Sequence, residues 1–131
     1  MGRVLARLGA VPDAIVASPA ARAKETAEDA AKAMSFAGSI RFERSLYDAP
    51  GSAWLAALRA APSSADSFLV VAHSPGIAEV AAFLLGASAG AFDVPTCGLI
   101  ALVDPAERWR DLGDGTAALR WFLRPKLVEQ L

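Results

Sequence analysis

Arg22, His73 and the two Ser-Pro pairs, Ser18-Pro19 and Ser74-Pro75, are the residues whose types and spacing suit chemistry on an anion. Each pair follows a short apolar run, Ile15-Val16-Ala17 in one case and Val70-Val71-Ala72 with His73 in the other. Each also opens a helical pattern, since Ser caps helices and Pro suits the first helical position. In a parallel sheet both runs end at one edge, which is where ligands bind. Both helices then begin there, presenting unpaired N–H groups and the positive end of the helix dipole. Arg22 lies in the first turns of one helix and His73 at the mouth of the other. Together they describe an anion site for a phosphoryl group, which a guanidinium binds in bidentate fashion. Arg22, His73, Ser18 and Ser74 are its candidate phosphate-binding residues. Spacing alone also admits a plainer reading, in which His73 is a satisfied buried polar group, Ser-Pro an ordinary helix boundary and Arg22 a solvated charge like Arg59.

The elements that must hold these residues alternate along the chain. Val4, Leu5 and Leu8 share a helical face that ends at Gly9. This helix opens at Met1 without a capping residue, as a fragment of a longer helix would. Ala14–Ala17 is a buried strand, and the alanine-rich helix after Ser18-Pro19 runs to about Met34. Ile40–Tyr47 alternates Ile40 and Phe42 against Arg41 and Glu43, which predicts a strand with one exposed face. Gly51-Ser52 precedes a helix carrying Trp54, Leu55 and Leu58 that stops before Pro62. Phe68–Ala72 is the most apolar strand candidate. Ile77, Val80, Ala81, Leu84 and Leu85 then form an amphipathic stripe that ends at Gly86. Gly98–Val103 and Ala117–Leu123 complete the set as two strands. Strands alternating with helices predict an α/β layered domain, residues 1–131, with a mostly parallel sheet. Trp54, Trp109 and Trp121 read as packing residues, and Cys97 as a small buried residue.

Composition narrows the functional classes. The chain has 131 residues, 54% of them hydrophobic, and its mean hydropathy is +0.36. A chain this apolar is not disordered. Thirteen Lys and Arg against fourteen Asp and Glu leave a net charge of −1, without the basic excess of a nucleic-acid binder. The uncharged stretch Val80–Phe92 is too short for a bilayer, which needs about 20 apolar residues. Arg7 and Pro12-Asp13 interrupt any signal-peptide core, and Ala6 stands where myristoylation wants Ser or Thr. One cysteine and one histidine do not make a zinc site. The expectation is a cytoplasmic protein with no metal, no cofactor, no nucleic-acid partner and no membrane contact.

Two segments resemble a known family. Ala17-Ser18-Pro19-Ala20-Ala21-Arg22-Ala23-Lys24-Glu25-Thr26-Ala27 is similar to the S-S-P-x-x-R-A-x-Q-T-A segment of the histidine phosphatase superfamily. Val70-Val71-Ala72-His73-Ser74-Pro75-Gly76-Ile77 is similar to its V-G-H-N-P-G segment. Leu46-Tyr47-x-Ala49 and Pro95-Thr96-x-Gly98 resemble further stretches of the SixA-type phosphohistidine phosphatases, so the likeness covers nearly the whole chain. Ala72, Ser74 and Glu25 depart from the family's Gly, Asn and Gln. The resemblance implies a three-layer α/β/α, phosphoglycerate mutase-like fold. It also implies a larger departure. The family opens with a strand ending in Arg-His-Gly, whose histidine attacks phosphorus, and that strand lies between those matching Phe68–Ala72 and Gly98–Val103. Here the strand is missing, and His73 is the only histidine.

By this resemblance the function is a phosphatase that takes a phosphoryl group from phosphohistidine or a small phosphomonoester through a phosphohistidine intermediate. His73 and Arg22 would stabilise the transferring oxygens, and Asp48 is the candidate acid for the leaving group, with Glu43 behind it. Thr96 would serve a turn or lend a hydroxyl to the pocket rim. The expected partner is a phosphorylated small molecule or a phosphohistidine protein. The preferred reading is an active enzyme of which this sequence is a truncated form. An alternative is an inactive phosphate- or phosphoprotein-binding module. A serine hydrolase using Ser74 or Ser18 lacks the Gly-x-Ser-x-Gly elbow. A sheet without its inner strand leaves edges that a dimer or strand exchange could fill.

Overall fold

A computed structural model describes residues 1–73 and 75–130. Three strands form a parallel sheet in the order β2-β1-β3: β1 is Ala14–Ala17, β2 Ile40–Phe42 and β3 Phe68–Val71. Two more, β4 (Leu99–Val103) and β5 (Ala118–Leu123), pair antiparallel in a separate ladder with an irregularity at Ala101/Leu102. The described strands therefore form two separate sheets rather than the single mostly parallel sheet expected.

Helices cover both faces of the parallel sheet, because β1 alternates its side chains between two cores. Val16 joins one core with Trp54, Leu58, Val80 and Leu84 from α3 (Gly51–Arg59) and α4 (Gly76–Leu85). Ile15 and Ala17 join the other with Leu5, Ala27 and Met34 from α1 (Gly2–Arg7) and α2 (Ala21–Met34). This is the three-layer α/β/α architecture expected of a phosphoglycerate mutase-like fold. Helix α1 lies tight on α2: a Cβ on Gly2 would stand 2.6 Å from the Ala30 carbonyl oxygen. A last short helix, α5, spans Pro125–Glu129.

Most boundaries follow the local pattern, and α4 ends as expected with Gly86 left-handed at φ 69°. Four expectations change. Helix α2 starts at Ala21 rather than at Ser18-Pro19, because the Ser18 hydroxyl accepts the Ala20 N–H at 3.2 Å and closes a local turn. The predicted strand Ile40–Tyr47 stops at Phe42. Its last ladder bond runs from the Glu43 N–H to the Ala17 carbonyl, and the 3-10 turn Arg44–Leu46 then drives Leu46 into the core at 2% exposure. Cys97 is exposed, not buried. It has φ 60° in a turn closed by the Gly98 N–H on the Pro95 carbonyl, and that turn also carries Thr96. Arg59 is not a free surface charge, for Nε and Nη2 both donate to the Leu112 carbonyl, at 2.9 and 2.6 Å.

Candidate phosphate-binding site

The carboxyl ends of β1, β2 and β3 are tied together by backbone. Ser18 N–H donates to the Val71 carbonyl at 3.2 Å, and Glu43 N–H to the Ala17 carbonyl at 3.2 Å. The chain segments leaving these strands therefore start from one fixed edge, as the common direction of parallel strands requires. A cleft of about 410 Å³ opens there, lined among others by Ser18, Asp48, Trp54, His73, Gly76 and Glu79.

Each lining residue arrives by a distinct route. Ser18 follows β1 directly and is buried at 2% exposure, its hydroxyl engaged with Ala20 N–H. His73 follows β3 and is exposed, while its carbonyl accepts the Ile77 N–H at 3.3 Å. The reading of His73 as a buried, satisfied polar group therefore does not hold. Asp48 follows the 3-10 turn and is held at φ 48°, in the left-handed region that Asp tolerates better than most residues. Glu79 comes from the first turn of α4.

Two close contacts fix the walls. A Cβ on Gly76 would meet the Ala49 carbonyl oxygen at 2.5 Å and the Trp54 ring at 3.2 Å. Only a glycine lets the start of α4 approach the segment that carries Asp48. Trp54, exposed by 1%, is a core residue and a wall of the cleft at once.

Arg22 occupies the first turn of α2 and is exposed; it is not among the residues lining the cleft. Its side chain, like those of Asp48 and His73, has no hydrogen bond or ion pair with another described residue. Glu43, second candidate for the acid, pairs instead with Arg41. Ser74 lies outside the described residues. Sequence reasoning missed Glu79, and also Tyr47 and Ala49 as cleft residues. Glu79 carried a usable signal. It is the acidic residue in the first turn of a helix that starts at the ligand edge, off the apolar stripe of Val80, Ala81 and Leu84.

Among the described residues no group of His, Cys, Asp and Glu could hold a metal ion, and no helix is long and apolar enough to cross a membrane. The chemistry available is that of a cleft with one imidazole, one phenol, one buried hydroxyl and two carboxylates. An arginine stands on the adjoining helix turn.

No family model and no curated protein matches the chain. Solved structures do. The crystal structure of a proposed phosphohistidine phosphatase SixA from Agrobacterium tumefaciens is similar at TM-score 0.77 and 24% identity, over 95% of this chain and 75% of that one. The corresponding protein from Nakamurella multipartitia is similar at TM-score 0.74 and 22% identity, over 95% of this chain and 79% of that one. The fold is that of these SixA-type structures, the same type that the two Ser-Pro segments resemble.

Proposed function

We propose that this domain belongs to a phosphatase of the histidine phosphatase kind, acting on phosphohistidine or on a small phosphomonoester. The observation that carries the reading is the meeting of Ser18 and His73 in one cleft at the carboxyl edge of β1 and β3. These are the positions at which the chain resembles the family's two phosphate-binding segments.

In this reading Arg22 swings over the cleft mouth from the first turn of α2, and with His73 it neutralises the oxygens of the phosphoryl group. The phosphoryl group passes to a nucleophilic histidine, with the leaving oxygen or nitrogen protonated by Asp48. Water then attacks the phosphohistidine and releases inorganic phosphate. Ser18 holds the β1 turn in shape and supports the site without touching the reacting atoms.

The nucleophile is not among these residues, because His73 is the only histidine and serves the oxygens. Residues 1–131 alone are then a phosphate-binding half-site. That same observation favours the second reading, a module that binds phosphate or a phosphoprotein without turnover.

Two measurements separate the readings. Orthophosphate or orthovanadate should bind the chain as it stands, and Arg22→Ala or His73→Ala should weaken binding. Adding a strand that ends in Arg-His-Gly should then create turnover of p-nitrophenyl phosphate. Binding without turnover after that addition selects the module. No binding at all overturns both.

A further inference from the structure

Tyr47 is 64% exposed, the most exposed large hydrophobic side chain among the described residues, and it lines the cleft. Single apolar residues on a protein surface are ordinary, but one on the wall of a concave site is placed where a ligand would cover it. Its backbone leaves no inward alternative. Leu46 before it is buried in the core, Asp48 after it sits at φ 48°, and the Tyr47 N–H donates to the Arg44 carbonyl at 3.0 Å. Turning the phenol inward would mean withdrawing Leu46. The side chain of Tyr47 has no hydrogen bond, ion pair or ring contact with another described residue.

The lining of the cleft divides by exposure. Ser18, Leu46 and Trp54 are buried, whereas Tyr47, Asp48 and His73 are exposed. A phosphoryl group held by His73, with its leaving atom at Asp48, therefore lies among the exposed residues. Asp48 and Tyr47 are consecutive, so what the leaving atom carries meets the phenol next. A phenol offers a flat apolar face held by only two side-chain torsions, which gives contact area at little entropic cost. A flat aromatic ring can stack on that face, and the match of the two quadrupoles adds to the area they bury. A saturated ring of the same size gains the area alone.

We propose that Tyr47 selects the leaving group: its ring stacks on a flat aromatic ring bonded to the phosphoryl group, favouring aryl or imidazolyl over alkyl compounds. This rests on the phosphate-site reading, since His73 must hold the phosphoryl group for Tyr47 to meet what it carries. Tyr47 is a specificity residue, takes no part in bond breaking, and does not need its hydroxyl for the task.

Phosphonates test this on residues 1–131 as they stand, because they keep the anionic head and carry the ring on a carbon that does not leave. Phenyl-, imidazolyl-, cyclohexyl- and methylphosphonate are titrated calorimetrically into the native chain, Tyr47→Phe and Tyr47→Leu. A flat-ring phosphonate should bind about threefold to tenfold tighter than cyclohexylphosphonate, the range expected of a ring pair. Whichever flat ring binds tighter identifies the aryl or the imidazole source. The preference should persist in Tyr47→Phe and vanish in Tyr47→Leu. Flat rings binding no tighter than cyclohexyl in the native chain, or a preference that survives Tyr47→Leu, overturns the proposal and leaves the phosphate site standing. So does a preference lost in Tyr47→Phe, which assigns the selection to the hydroxyl. A loss in Tyr47→Leu shared equally by all the phosphonates overturns it too, because Tyr47 then only supports the cleft. Absence of binding by every phosphonate overturns the phosphate-site reading and the proposal together.

Discussion

The backbone N–H of Ser18 donates to the Val71 carbonyl at 3.2 Å, extending the β1–β3 ladder one step past the last residue of β1. The buried serine and the strand that leads into His73 are thereby one rigid unit. His73 itself stands exposed at the cleft, and its imidazole can meet a ligand without local unfolding.

Turnover should depend on that unit and on Arg22. In the protein supplied with an Arg-His-Gly strand, Arg22→Ala and His73→Ala should each lower kcat by roughly 10²–10³, the usual cost of losing a preorganised charge contact in a transition state. Steady-state hydrolysis of p-nitrophenyl phosphate checks this. Turnover by residues 1–131 alone that His73→Ala leaves untouched would sink the mechanism.

Asp48→Asn should discriminate between leaving groups. Asn also tolerates the left-handed backbone found at φ 48°, so the fold should survive while the acid is lost. Nitrophenolate leaves without a proton, whereas an alkoxide does not. Hydrolysis of an alkyl phosphate by the strand-supplied protein should therefore fall about 10²-fold or more, and that of p-nitrophenyl phosphate much less. Equal losses would remove Asp48 from the acid role.

Gly76→Ala should destabilise the domain and deform the cleft together. The added Cβ would sit 2.5 Å from the Ala49 carbonyl oxygen, backbone that has little room to retreat. Overpacking of this kind costs about 1–3 kcal/mol. Chemical denaturation gives the stability change, and phosphate titration should show weaker binding in the fraction that remains folded.

Arg59→Met should cost about 1.5–3 kcal/mol, since it removes two charged hydrogen bonds to one carbonyl while keeping much of the aliphatic stem. Arg59→Lys should recover only part, because an ammonium cannot reproduce the fork. Thermal unfolding of the three proteins side by side measures both. An unchanged midpoint in Arg59→Met would mean that the Leu112 carbonyl finds water at no cost.

Much of this protein was legible in the order of its residues. Strand β1, helix α3 and helix α4 follow from apolar runs, periodicity and the terminators Pro62 and Gly86, because those signals act within a few residues of the backbone they shape. That β1 and β3 end at one sheet edge was also readable, since parallel strands share a direction and so share an end.

Distance along the chain hid the rest. The early end of β2 was decided by the core, which takes Leu46 at 2% exposure and can do so only if the strand breaks into a 3-10 turn. Cys97 was turned outward by the φ of its own turn, a backbone state that its residue type does not announce. Asp48 and Glu79 share a cleft because Gly76 admits the Ala49 carbonyl, a contact between segments that are remote in sequence. Arg59, indistinguishable from a surface charge by pattern, was committed to Leu112 by the packing of α3 beside the Trp109–Asp111 turn. The separation of β4 and β5 from the parallel sheet is of the same kind. A strand's own residues specify that it is a strand, but its partner is whichever edge the cores bring beside it, and among the described strands β4 and β5 pair only with each other.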